Sequence, residues 1–290
     1  MDIRIKKLKY VAAVLIYGTI GAILHYVDVP SEIVVFCRGV IGTIFVLLYL
    51  AVKRQKLDIP GIKANFKYLV ISGGCLGLNW VFLFAAYRHT SVAIASLCNY
   101  MAPIIVLALA PFLFKEHTSF KKIMCIIASI VGIVLVSGVV TGNPADLNLP
   151  GMGLGLLSAL GFVGLYICNR RIKNIGAYDK TVIQLLASAV VVLPYMLWNN
   201  IGSFSLSALD LRSILLVLLL GVVHTGVAYI FYFDSLSAIP VQTVAVLGYL
   251  EPVESILLSA FFLKEPMGWF VWLGAALILG SAVISELTEK

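Results

Sequence analysis

Apolar residues run along this chain in long continuous stretches rather than alternating with polar ones. Stretches of span length, broken by charge, proline, glycine or asparagine, fall near 8–27, 31–52, 66–88, 92–113, 120–140, 151–170, 180–198, 211–233, 241–262 and 267–286. A helix that crosses a bilayer needs about 20 mostly apolar residues. Barrel strands would instead appear as roughly ten-residue alternating segments. The pattern therefore predicts an all-α integral membrane protein with ten transmembrane helices. The opening "MDIRIKKLKYVAAVLIYGTIGAIL" is basic and then apolar, like a signal peptide. Its apolar part is as long as a span and no small-residue cleavage site follows, so it reads as the first helix.

Composition agrees with the pattern. Of the 290 residues, 61% are hydrophobic and only 12% are charged, with a mean hydropathy of +1.03. Soluble domains carry about 25% charged residues, and here the deficit extends along the whole chain. The net charge of +7 resides in basic residues that flank apolar runs, which set orientation rather than bind nucleic acid. With the N-terminus inside, the cytoplasm receives Arg4, Lys6, Lys7, Lys9, Lys53, Arg54, Lys56, Lys63, Lys67, Lys115, Lys121, Lys122, Arg170, Arg171, Lys173, Lys180 and Lys290. That is 17 of the 21 basic residues. Arg88, Arg212 and Lys264 fall outside, and Arg38 lies within a span. The expectation is a multi-pass protein of the cytoplasmic (inner) cell membrane with both termini inside. Cys37, Cys75, Cys98, Cys125 and Cys168 each sit in an apolar run without a CxxC spacing. They suggest neither a disulfide framework nor a metal site, and no cofactor is expected.

The chain also repeats itself. "NYMAPIIVLALAPFLFKE" (99–116) and "GYLEPVESILLSAFFLKE" (248–265) align without a gap at an offset of 149 residues. Tyr100, Pro103, Lys115 and Glu116 recur as Tyr249, Pro252, Lys264 and Glu265, and the offset also pairs Tyr17 with Tyr166. Five spans per copy is an odd number, so the second copy enters from the opposite face. The expected architecture is an inverted five-plus-five bundle, residues 1–143 and 144–290, joined by the polar linker "VVTGNPADLNLPG". Inverted repeats of this kind recur in secondary transporters, whose substrate site lies near mid-membrane between the repeats.

The stretches "LNWVFLFAAYRHTSVAIASLCNYMAPIIVLALAPFLFKE" and "YLEPVESILLSAFFLKEPMGWFVWLGAALILGSAVI", with "CRG" in the second span, resemble the two halves of the EamA family within the drug/metabolite transporter superfamily. The resemblance covers essentially the whole chain. It implies a ten-helix bundle around a central cavity and movement of small metabolites, often the export of amino acids or related solutes, without naming one.

Charged groups inside a bilayer cost about 3 kcal/mol each even on lenient scales and default to functional candidates. Arg38, His224, Glu251 and Glu254 qualify; His25, Arg88 and Asp234 lie near span ends and are set aside as snorkelling groups. Glu251 precedes Pro252, which removes a backbone donor and frees a carbonyl. Its repeat mate is Ala102, so the carboxylate belongs to one half alone. Glu251 is a candidate for a cationic group or a proton, with a neutral structural Glu or a pair with Arg38 as the alternatives. Glu254 lies one turn on and shares its face; it and His224 are candidates for proton coupling, or a vestibule residue and a satisfied core histidine respectively. Arg38 reads as a structural brace more than as a receiver of a substrate carboxylate. Tyr17, Asn79, Trp80, Asn99, Tyr100, Tyr166 and Tyr249 are expected to line the cavity, with kinks at Pro103 and Pro252. Tyr229 and Tyr232 read as an interfacial belt. Gly18, Gly21, Gly153, Gly161, Gly164, Gly274 and Gly280 are expected at close helix contacts.

A secondary transporter working by alternating access fits these features, with a small-molecule substrate, the lipid bilayer and protons as its partners; a homodimer is left open. No GxxxxGK[ST], HExxH or GxSxG is present, which removes the familiar signatures of nucleotide-driven pumps, zinc proteases and serine hydrolases. A facilitator or channel is the second reading and an intramembrane enzyme the third.

Overall fold

A computed structural model describes residues 3–114, 119–141, 148–200, 210–236, 239 and 241–287. Lys115, Glu116, Lys290 and part of the linker lie outside the described residues. Among the described residues the regular structure is helical throughout. In chain order the helices are α1 (Ile3–Gly18), α2 (Ile20–Leu24), α3 (Ser31–Val52), α4 (Ile59–His89), α5 (Val92–Asn99), α6 (Ala102–Phe114) and α7 (Phe120–Val136). They continue with α8 (Leu149–Asn169), α9 (Ala177–Asn200), α10 (Leu211–Gly221), α11 (Ala228–Leu236), α12 (Val241–Gly248), α13 (Leu250–Leu257) and α14 (Trp269–Leu287).

Each of the ten apolar runs coincides with one of these helical stretches. Seven stretches are long and apolar enough to cross a bilayer: Ile3–Leu24, Ser31–Val52, Ile59–His89, Val92–Leu113, Leu149–Asn169, Ala177–Asn199 and Leu211–Ser235. The run at 120–140 forms the 17-residue α7, and 267–286 forms α14. The run at 241–262 is divided into α12, α13 and a π-helical stretch, Leu258–Phe262. α4 starts earlier than its apolar run, because Asp58 accepts a hydrogen bond from the Gly61 N–H at 3.0 Å and Pro60 fits the first turn.

Which face each helix buries gives the clearest sign of the solvent it lives in. On α7, Ile123, Ile127, Ile130 and Val134 are exposed, while Cys125, Ser129, Gly132 and Val136 are buried. Inside, Ser129 and Ser281 hydrogen-bond between α7 and α14. Apolar outside and small or polar inside is the arrangement expected in lipid, where helices attract by close approach and interhelical hydrogen bonds. The protein is a multi-pass membrane helical bundle.

α4 packs most extensively against α8 and α9, α3 against α9, α7 against α14, and α1 against α11 and α13; α5 lies between α8 and α13. Glycines make several of these contacts close. A Cβ on Gly18 would collide with the Glu254 carboxyl, and one on Gly161 would meet the Asn79 backbone at 2.9 Å. Gly21, Gly164 and Gly274 also sit against neighbouring helices. Gly153 and Gly280 do not: nothing lies within 4 Å of where their Cβ would be, which corrects the expectation for those two.

Candidate functional site

Two helix breaks shape the interior. α5 ends at Asn99 and α6 resumes at Ala102; α12 ends at Gly248 and α13 resumes at Leu250. Proline cannot donate to the helix ladder and crowds the turn before it, so it belongs in a first turn. Pro103 and Pro252 occupy such positions, and the expected kinks are full interruptions beside Tyr100 and Tyr249. Glu251, in the first turn of α13, is the electrostatic neighbour of Tyr100, so the two breaks lie close together.

A group of tyrosines surrounds this point. Tyr17, Tyr87 and Tyr229 lie within electrostatic range of both Arg38 and Glu251, and Tyr10 and Tyr232 within range of Glu251. The Tyr17 ring meets Tyr229 edge-on at 5.8 Å and Tyr232 at 6.2 Å, and Tyr10 lies 5.3 Å from Tyr232. Tyr17, Tyr87, Tyr100, Tyr229, Tyr232 and Glu251 sit deep in the bundle yet each keeps part of its surface accessible. Partial exposure at that depth is what residues bordering an internal opening show, rather than those of a closed core. Tyr229 and Tyr232, expected in an interfacial belt, belong to this interior group. The reason is rotational: the chain is π-helical from Val222 to Val227, which turns the residues after it relative to an α-helical register.

Arg38 is 1% exposed. Its guanidinium lies over the Trp80 ring at 4.3 Å and the Phe84 ring at 5.3 Å. Nε donates to the Thr225 hydroxyl at 3.1 Å, and Thr225 donates in turn to the Leu220 carbonyl at 3.0 Å. The alternative of an Arg38–Glu251 ion pair is not realised: the ion pairs formed among the described residues are those of Asp234. Nη1 is buried without a partner, as are the Tyr17 hydroxyl and Glu254 Oε2. Glu254 lies against Gly18 while Glu251 reaches Tyr100, so the two carboxyls point to different neighbours.

The remaining candidates separate. His224 is buried; its Nδ1 donates to the Leu219 carbonyl at 3.3 Å and its Nε2 lies 2.9 Å from the Thr19 hydroxyl, so both ring nitrogens have partners. Asn79, 3% exposed, donates to the Asn99 side chain and to the Ser158 carbonyl, each at 2.8 Å, and Ser158 donates to Asn99 at 2.9 Å. That knot ties α4, α5 and α8 together. Trp80 forms the plate under Arg38, and Tyr249 is partly buried against the core between α5 and α14. Tyr166, 46% exposed on α8, is not among the residues gathered here, contrary to expectation. It lies three residues before the end of α8 and on an exposed face of that helix.

The two ends of the bundle differ. At one end Lys6 and Lys9 each contact the Asp234 carboxylate at 2.7 Å, Lys6 also bonds the Asp234 carbonyl, and the Tyr10 hydroxyl donates to the Val244 carbonyl at 2.9 Å. These contacts fasten α1 to α11 and α12. Sequence depth had set Asp234 aside; its signal was the opposite charge on the first helix at the same level. At the other end a cleft of about 280 Å³ is lined by Leu24, His25, Asp28, Phe84, Tyr87 and Arg88 among others. Phe84 and Tyr87 are common to the cleft and to the surroundings of Arg38.

The sequence profile of the EamA-like transporter family matches the chain twice, over residues 8–138 and 149–286. The chain belongs to the EamA-like transporter family. An uncharacterized transporter YxxF of Bacillus subtilis is 27% identical, over 98% of this chain and 90% of its own. An uncharacterized transporter of Archaeoglobus fulgidus is 25% identical over 95% and 94%. Protein PecM of Dickeya dadantii is 23% identical over 79% and 76%. A solved protein crystal structure, 18% identical, superposes with a TM-score of 0.65 over 97% of both chains, which supports the fold.

Proposed function

We propose that this EamA-family member is a secondary transporter that moves small polar metabolites, such as amino acids, amines or related solutes, by alternating access around the tyrosine-walled space. The observation that carries the reading is the partly exposed, ionisable Glu251 beside Tyr100, where two broken helices come together. Broken helices with an ionisable group near mid-span are how transporters build solute and ion sites. Glu251 holds a cationic group or the coupling proton, and Tyr17, Tyr87, Tyr100 and Tyr229 give the walls that pack and orient the solute.

Several features support two inverted halves, residues 1–143 and 144–290. α5 and α12, eight residues each, occupy equivalent positions 149 apart and end at equivalent breaks. Helix contacts also come in matched pairs: α1 with α11 corresponds to α8 with α4, α1 with α12 to α8 with α5, and α1 with α13 to α8 with α6. The fastened end carries Lys6 and Lys9, so the positive-inside rule assigns it to the cytoplasm, with both termini there. The conformation then has its inner end closed and a cleft on the outer side, which suits a step in export or exchange. A facilitator using the same space is the second reading.

Counterflow in liposomes tests this, because a channel gives no trans-stimulation. Wild-type protein should accumulate labelled solute against unlabelled solute on the far side. Glu251→Gln should lose binding or its pH dependence; wild-type, pH-dependent counterflow by that variant would remove Glu251 from the mechanism.

A further inference from the structure

We propose that Arg38, with the Tyr17 hydroxyl, is the docking point for an anionic group on the transported solute, a carboxylate above all. The proposal rests on the transporter reading and adds the chemical class of the solute.

Four observations carry it. Arg38 is 1% exposed and permanently charged. Among the described residues the ion pairs formed are Lys6–Asp234 and Lys9–Asp234, so Arg38 is left without a carboxylate partner. Burying a cation without a counter-ion is costly, and a protein that only needed a brace would be served by a neutral donor. Nη1 also has no hydrogen-bond partner, and neither does the Tyr17 hydroxyl. Both are donors, both are buried, and Tyr17 lies within electrostatic range of Arg38.

The guanidinium is held rigidly for such a task. Trp80 and Phe84 take its flat face and Thr225 takes Nε, so the plane is fixed and the far edge is free to donate. A guanidinium edge plus a phenol hydroxyl matches the oxygens of a carboxylate, where charge-assisted hydrogen bonds are strong. The cleft shares with the surroundings of Arg38 the Phe84 ring, which lies under the guanidinium, and Tyr87, which is within its electrostatic range. Tyr17, Tyr87 and Tyr229 lie within electrostatic range of Glu251 as well as of Arg38, and Glu254 Oε2 is unpartnered beside Gly18. An anion site and an acidic site that share the same tyrosines describe a solute with a carboxylate and an ammonium group.

The test uses purified full-length protein and three probe sets: the proteinogenic L-amino acids, their decarboxylated amines, and their deaminated carboxylic acids. Thermal stabilisation and equilibrium binding are measured for each, together with liposome counterflow. Carboxylate-bearing probes should bind, and their amine counterparts should bind about tenfold more weakly or worse, the loss of one charge-assisted hydrogen bond. Arg38→Gln should erase that difference and Tyr17→Phe should reduce it. Arg38→Met, which keeps the stacked stem, should melt no lower than wild type without solute, since it removes an uncompensated charge.

Amines that bind while carboxylates do not, or Arg38→Gln protein with wild-type carboxylate affinity, would overturn the anion site. So would a melting temperature for Arg38→Met well below wild type together with unchanged affinity, which is the signature of a brace. Counterflow that survives Arg38→Gln defeats this proposal and leaves the transport reading standing. Carboxylate binding without counterflow does the reverse. A panel with neither binding nor counterflow overturns both.

Discussion

Asp234→Asn should open the end of the bundle that Lys6 and Lys9 close. Asp234 accepts from both lysines at 2.7 Å, with side-chain exposures of 13% for Lys6, 29% for Lys9 and 28% for Asp234. Charge-assisted hydrogen bonds contribute about 1.5–3 kcal/mol each when shielded from water. Here solvent screens both contacts, and the bond from Lys6 to the Asp234 carbonyl survives the substitution. A loss of about 1–2 kcal/mol follows, or about a five- to thirtyfold rise in the population open at that end. The assay is maleimide labelling of Ala13→Cys, a fully buried position on α1, in protein whose five native cysteines are replaced. Labelling should accelerate by that factor with Asp234→Asn, and high salt should produce part of the same acceleration in the parent. Tyr87→Cys, in the opposite cleft, should label more slowly if the two ends open in alternation. Unchanged labelling of Ala13→Cys would mean that the ion pairs are surface decoration and that closure rests on the packing of Tyr10 and Tyr232.

Other consequences are equally direct. Gly18→Ala would drive a Cβ into Glu254 Oε2 and place it 3.0 Å from the Glu251 carbonyl; it should separate α1 from α13, lower the melting temperature and abolish counterflow, and a variant that melts and transports like wild type would refute that contact. Asn79→Ala loses two hydrogen bonds in the knot with Asn99 and Ser158, about 1–3 kcal/mol by the values found for interhelical bonds in membranes. Its melting temperature should fall while solute affinity in the folded fraction holds; the opposite pattern would return Asn79 to the list of ligands. Glu265→Ala removes the carboxylate that accepts from the Val92 N–H at 2.9 Å and from the Ser259 hydroxyl. The first turn of α5 then loses its partner and about 1–3 kcal/mol. Glu265→Gln, which still accepts, should melt between Glu265→Ala and wild type, and a Gln variant as unstable as Ala would argue against that role.

What the sequence made legible was position along each helix; what it hid was rotation about the axis. The ten apolar runs appear as helices because lipid demands continuous apolar length, and Pro103 and Pro252 mark the breaks because a missing donor acts locally. Tyr166 and Tyr229 show the limit. Tyr166 reads as a cavity residue, though deeper towards the cytoplasm than the rest, and Tyr229 as belt; the bundle turns the first outward and the second inward. Rotation depends on which face finds a neighbour close enough to pack, as Gly18 does and Gly153 does not, and on the π stretch at Val222–Val227, which apolar periodicity does not reveal. Long-range pairs are hidden for the same reason. Nothing in the order of residues states that Lys6 meets Asp234 or that Glu265 meets Val92.

The comparison of the two proline-centred segments bears most closely on function. Their backbones are broken alike, at Tyr100 and at Tyr249, so the breaks belong to the shared architecture. The side chains are not alike: Ala102 stands where the second copy has Glu251, and Pro103 is followed in its turn by Ile105 where Pro252 is followed by Glu254. A symmetric cavity treats both ends of a solute the same way. Placing both acids on one half and Arg38 on the other gives the space a direction across the halves, from cation to carboxyl, with the tyrosines between. On the proposed reading, charge on one half alone lets a duplicated frame orient its solute, and exchanging the pair by Ala102→Glu with Glu251→Ala should reverse or abolish that preference while leaving the helix breaks intact.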